Sequence, residues 1–191
     1  MRIAAPTLAG FEVLDTSDPG AVLAYEQAFY AAFEPIRPAG LLRHLWNWDD
    51  AARRISAPVP YADQVVYVLR DAGGEVRRGL AVNLALRTVQ AARFGFTLPE
   101  ESGIAEMLTF FAAGPHDLRG ALRFRRACYA DLRARGLRHG YGTARRRPLP
   151  AYGRFGTAVV EERRIEDEAR YLLRFDLEAD FSRPSGTGAG G

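Results

Sequence analysis

The stretch IAEMLTFFA (residues 104–112), GPHD (114–117), LRGALRFRRACYADLRARG (118–136) and LRHGYGT (137–143) decides the fold. The first piece is a short apolar run rich in β-branched and aromatic residues, which predicts a buried strand. Asp117 stands where a helix needs an N-cap. Behind it Leu118, Ala121, Leu122, Phe124, Cys128 and Leu132 form the stripe expected to be buried, with Arg119, Arg123, Arg126 and Arg133 on the opposite side. Gly136 supplies the stop, and residues 137–143 predict another strand. A strand, a helix and a strand joined this closely make a crossover between parallel neighbours in the middle of a mixed sheet.

Working outward, QVVYVLR (64–70) and VRRGLAVNLALR (76–87) flank Asp71-Ala72-Gly73-Gly74 and predict a β-hairpin. Nearer the start, residues 11–14 predict a short strand. Val22, Tyr25, Phe29 and Phe33 mark one face of a helix over 21–33, which Pro35 and Pro38 close. A second helix is expected over Leu41, Leu42, Leu45, Trp46 and Trp48. After residue 143 the reading is a short helix at 151–155, then strands at 157–164 and 170–177 around the turn Glu166-Asp167. The order is β-α-α-β-β-β-α-β-α-β-β, an α/β (α+β) architecture in one domain over 9–178. Residues 1–8 are a loose start and 179–191 a disordered tail ending in SRPSGTGAGG, which has almost nothing to bury.

Composition narrows the function classes. The chain has 191 residues, enough to bury a sizeable core without staples. One cysteine, Cys128, excludes an intrachain disulfide and any multi-cysteine zinc site, and its place on the buried stripe reads as core. His44, His116 and His139 lack metal-ligand spacing, so no metal is expected. Neither a membrane span nor a secretory leader is visible, and a cytoplasmic setting is expected. All 26 basic residues are arginine, which excludes a lysine nucleophile or Schiff base. Residues 119–154 carry eleven Arg and one acid, Asp131, a local +10 on a chain of net +3. That imbalance suggests an anionic partner. Nucleic acid is disfavoured because aromatic residues do not interleave the basic ones.

The element order resembles the fold of the GNAT superfamily of N-acyltransferases. Three places carry the resemblance: Ala105-Glu106-Met107-Leu108-Thr109-Phe110, Pro115-His116-Asp117-Leu118-Arg119-Gly120-Ala121-Leu122, and Tyr152-Gly153-Arg154-Phe155-Gly156. It implies direct transfer of an acyl group, acetyl in the simplest case, from acyl-CoA to a small-molecule amine. Glu106, an acid in an apolar strand whose burial would raise its pKa, suits a general base. The resemblance gives Tyr152 the role of proton donor to the departing thiolate. It also places donor phosphates on Leu118, Arg119, Gly120, Ala121 and Arg123, where a helix N-terminus offers unpaired N–H groups. Leu122 and Phe124 stand where the family has small residues, and a capping Asp117 would occupy the phosphate position. In such folds the region of Trp46, Trp48 and Asp49 covers the acceptor, and an aromatic wall with acids suits a cationic amine.

Two alternatives stand beside this reading. Leu98-Pro99 followed by Ile104-Ala105-Glu106 is similar to the acyl-homoserine-lactone and N-acyl amino acid synthase branch of the fold, whose members take acyl groups from acyl carrier protein. An arginine-covered helix suits such an acidic carrier. The other alternative is an inactive GNAT-like binding module. Leu and Phe on the closing strands leave a homodimer open.

Overall fold

In the computed structural model, residues 8–36, 42–113, 117–146, 149 and 156–179 are described. The hairpin read from the sequence is β4 (Gln64–Arg70) and β5 (Val76–Asn83), and it belongs to a seven-stranded sheet. β1 (Phe11–Val13) adds to its outer edge, and β6 (Ile104–Ala112) pairs antiparallel on the other side. Helix α3 (Leu118–Ala134) then carries the chain over to β7 (His139–Arg145), the parallel neighbour of β6. β8 (Thr157–Ile165) and β9 (Glu168–Asp176) close the sheet, whose spatial order is β1-β4-β5-β6-β7-β9-β8. Every pairing is antiparallel except β6 with β7.

Each face of the sheet has its own core. Helix α1 (Pro19–Phe33), capped by Asp18 on the Gly20 N–H (2.8 Å), covers one face. Its Phe29 ring stacks on Phe111 of β6 at 5.3 Å. Gly79 of β5 lies beneath Phe111 and Tyr25. A Cβ there would stand 2.3 Å from the Phe111 ring, so only glycine lets the aromatic layer reach the sheet. On the other face α3 buries Phe124, Cys128, Tyr129 and Leu132 against Tyr67, Leu80, Leu173 and Phe175.

Three expectations are corrected. The second helix, α2 (Leu42–Leu45), is one turn only, and Trp48 and Asp49 lie in β2 (Asn47–Asp49), which pairs with β3 (Arg54–Ser56) in a separate two-stranded sheet. The cause is turn chemistry: the Asp49 carboxylate accepts the Ala52 N–H (2.9 Å), and Arg53 adopts a left-handed φ of 51°. The strand expected over 76–87 stops at Asn83, whose side-chain oxygen accepts the Leu86 N–H (3.0 Å) and turns the chain. Leu118 is 53% exposed instead of buried. At 3.6 residues per turn it lies about a third of a turn from Phe124, the first fully buried side chain of the stripe, in the opening turn of the helix. The helix expected at 151–155, residues 1–7 and the tail from 180 fall outside the described residues.

Candidate active site at the splayed strands

β6 and β7 pair at only three positions, Ile104 with His139, Ala105 with Gly140 and Glu106 with Tyr141. β6 continues to Ala112 and β7 to Arg145 without pairing further. The cause lies on their outer sides. β6 stays with β5, but its register shifts from Val82–Met107 to Ala81–Thr109, so Leu108 is an extra, bulged residue. A bulge bends its strand and sharpens the local twist. β7 keeps an unbroken register with β9 from His139–Asp176 to Arg145–Arg170. One strand bends away and the other does not, which splays the sheet.

A cavity of about 530 Å³ fills the gap, a size usual for small-molecule sites. Residues 107–110 of β6 and 142–145 of β7 form its sides. Phe33, Leu45 and Trp46 line it towards α1, and Arg125 and Tyr129 of α3 towards the opposite face, so the cavity passes through the sheet. The edges of β6 and β7 that face each other here have no partner strand among the described residues. An extended chain with amide groups can pair with such an edge.

Glu106 lies where the splay begins. It is 1% exposed, and both carboxylate oxygens are engaged. Oε1 accepts the Ala91 N–H (2.7 Å), while Oε2 accepts the Gln90 N–H (3.0 Å) and Asn83 Nδ2 (3.1 Å). Burial pushes its pKa above the usual carboxylate range, and the three hydrogen bonds oppose that shift. Gln90 also donates to the Leu108 carbonyl (3.0 Å), which ties the 3-10 turn Gln90–Phe94 to the bulge. Asn83 and Gln90 were not found from the sequence. They sit 23 and 16 residues from Glu106, and no local pattern marks them.

The five residues assigned to donor phosphate, Leu118, Arg119, Gly120, Ala121 and Arg123, all lie in the first two turns of α3. Arg119 and Arg123 are exposed and Gly120 is buried. Arg78, opposite Ala112 in the β5–β6 register, reaches Asp117 at 3.2 Å, which puts this helix terminus at the open end of the splay. Asp117 caps the helix as expected, accepting the Gly120 N–H at 2.9 Å. That bond, with Arg78 beside it, holds its carboxyl below the usual range. The helix N-terminus expected to receive a donor phosphate is thus capped by the chain's own carboxylate.

Of the acceptor-side trio, only Trp46 reaches the cavity wall, packed edge-on to Phe29 (4.9 Å) and Phe33 (4.7 Å). Trp48 lies under the Arg43 guanidinium (4.9 Å), and Asp49 is taken up by the hairpin turn and Arg54 (3.2 Å). Tyr152 lies outside the described residues. The sequence reading missed Arg125 and Arg170 as cavity residues. Arg125 is 2% exposed and stacks over Phe110 at 4.3 Å. Its one sequence signal is its i, i+4 spacing to Tyr129 on the buried side of α3. Among the described residues no group of three or more His, Cys, Asp or Glu could hold a metal ion, and no helix is long and apolar enough to cross a membrane.

No family model matches the chain, and no curated protein matches it. Solved structures do. The CoA-dependent acyl-homoserine lactone synthase BjaI, solved with SAM and isopentyl-CoA, matches with a TM-score of 0.66 at 14% identity, over 88% of this chain and 84% of that one. The AHL synthase LasI matches with a TM-score of 0.65 at 12% identity, over 88% and 90%. The ribosomal-protein-S18-alanine N-acetyltransferase of Escherichia coli matches with a TM-score of 0.54 at 13% identity, over 89% and 94%. The chain has the fold that acyl-homoserine lactone synthases share with the GNAT N-acyltransferases.

Proposed function

We propose that this protein is an N-acyltransferase that moves an acyl group from acyl-CoA to the amine of a small molecule, with no covalent enzyme intermediate. The observation that carries this reading is the splay, with two unpaired strand edges beside a cavity that passes through the sheet. The pantetheine arm of the donor has two amide groups and can lie along the free edge of β6 beyond Glu106. Its thioester then sits at the Leu108 bulge. Fold likeness to BjaI, a CoA-dependent enzyme, supports the choice of donor.

In this scheme Glu106 takes the proton from the acceptor's ammonium group, relayed by water from the cavity, whose wall begins at Met107. The free amine attacks the thioester carbonyl, the C–S bond breaks, Tyr152 gives its phenolic proton to the thiolate, and the proton shed by the new amide nitrogen restores the Tyr152 phenol. The first turns of α3, with Arg119 and Arg123, meet the donor phosphates once Asp117 turns out. Its side chain is 54% exposed, so it can turn into solvent on giving up its contacts with the Gly120 N–H and Arg78. Trp46 supplies an aromatic wall to the reacting groups.

Asp117 also favours a second donor. A helix terminus that is already capped suits acyl carrier protein, which would dock on the exposed Arg119, Arg123, Arg126 and Arg133. Calorimetric titration with CoA, acetyl-CoA, isopentyl-CoA and acyl carrier protein tests the function and separates the donors. Binding of a CoA thioester supports the first reading, and binding of carrier protein alone supports the second. Binding of neither leaves the inactive module.

A further inference from the structure

The cavity wall is mostly apolar, but on the α1 side it holds Arg145 and Arg170. Arg170 is 1% exposed and lies over the Phe94 ring at 4.6 Å. Its single ionic partner among the described residues is Glu168, with Nε 3.1 Å from Oε1. The alignment is too poor for a hydrogen bond: Nε, Nη2 and that carboxylate oxygen are all buried without a hydrogen-bond partner among the described residues. Arg145, opposite Arg170 in the β7–β9 register, stands 3.9 Å from the same oxygen. Two guanidinium groups thus share one carboxylate, leaving an excess positive charge in an apolar wall. Trp46 Nε1, on the same side, is likewise buried with no acceptor.

A guanidinium placed only to balance Glu168 would be expected to form the forked, hydrogen-bonded pair that arginine and carboxylate favour. Here the fork is open. Burial also lowers the Arg170 pKa, as for a cation with too little compensation around it. The group that would complete the site is an anion of fork geometry entering from the cavity.

We propose that the acyl group this enzyme transfers ends in a carboxylate, which Arg170 receives with Arg145 beside it and Trp46 Nε1 within the same wall. The substrate class is the thioester of a dicarboxylic acid, its chain lying across the apolar middle of the cavity. This rests on the acyltransferase reading. A carboxylate on an amino acid acceptor has the same chemistry, so the test must tell the two sources apart.

The test is calorimetric titration of the full chain with CoA, hexanoyl-CoA and adipoyl-CoA, which differ at the far end of the acyl chain. It is repeated with Arg170→Lys and with Arg170→Met/Glu168→Gln, which removes both charges together and so protects folding. Adipoyl-CoA is expected to bind the unaltered protein about tenfold or more tighter than hexanoyl-CoA. The double variant should lose that preference, and Arg170→Lys should keep only part of it. Steady-state acylation of an amino acid and of its amide forms the second arm. An Arg170-dependent preference for the free amino acid, with no preference between donors, assigns the guanidinium to the acceptor and overturns the acyl assignment. Equal treatment of both pairs overturns the proposal and leaves the acyltransferase reading intact. If no thioester binds, that reading falls, and thermal shift with free adipate and hexanoate decides the site alone. A shift by adipate that the double variant loses supports a carboxylate site, and no shift overturns it.

Discussion

Filling the cavity should stabilise the protein and disable it, and Ala144→Leu is the substitution that separates these effects. Ala144 is buried on β7 and lines the cavity on its α3 side. Leucine adds three carbons, each worth about 0.8 kcal/mol when taken out of water, or roughly 2.4 kcal/mol at most. Fixing a leucine side chain costs about 0.5–1 kcal/mol. The net gain is then about 1.5 kcal/mol, which for a chain of this length raises Tm by roughly 3–6 °C. Thermal unfolding by circular dichroism reads the stability, and calorimetry with acetyl-CoA reads the donor site. The expected outcome is a higher Tm together with at least a roughly tenfold loss of donor affinity, since the side chain stands where the thioester must pass. A fall in Tm would show that the space between the strands is not free. An unchanged donor affinity would show that the donor lies elsewhere.

Gly79→Ala presses a Cβ into the Phe111 ring and should cost about 1–3 kcal/mol, read as a lower Tm, with Phe111→Leu relieving part of the loss in the double variant. The raised pKa of Glu106 gives two signs. Acylation needs its carboxylate form, so kcat/KM should rise with pH through a value above that of an ordinary glutamate, and Glu106→Gln should abolish that limb. Folding runs the other way: the native state holds this proton more tightly than the unfolded chain, so the group's contribution to stability is complete below the unfolded pKa and is lost as pH rises through the folded one. Glu106→Gln should flatten that part of a Tm–pH plot. Asp117→Ala vacates the α3 terminus and should tighten CoA about two- to fivefold in low salt, with calorimetry as the readout. In the unaltered protein the depressed Asp117 pKa adds stability above the normal aspartate range, which is lost as pH falls through the folded value.

The crossover from β6 through α3 to β7 was legible because its period changes from strand to helix and back, with Asp117 and Gly136 as punctuation. The parallel pairing followed from it. Glu106 was legible as an acid inside an apolar strand. The bulge at Leu108 was not, since IAEMLTFFA holds no glycine or polar break and the extra residue appears only in the register with β5. The β2–β3 hairpin was missed because three-residue strands are too short to show alternation, and the apolar residues of LLRHLWNW continue a helical pattern. Arg170 was missed because an arginine within EARYLLRFD reads as outward-facing. It faces inward because both faces of β9 are covered, with Leu172 in one core and Tyr171 and Leu173 in the other.

Hydrogen–deuterium exchange with and without acetyl-CoA tests the central claim, that the splay receives an acyl thioester along the free edge of β6. Residues 108–112 and 142–145 have no partner strand across the gap among the described residues, so alternate amides of each segment point into it while the others bond to β5 or β9. The expected result is slowed exchange in both segments on adding the donor, centred on the Leu108 bulge and weakened in Ala144→Leu. Binding of acetyl-CoA with exchange unchanged in both segments would contradict it.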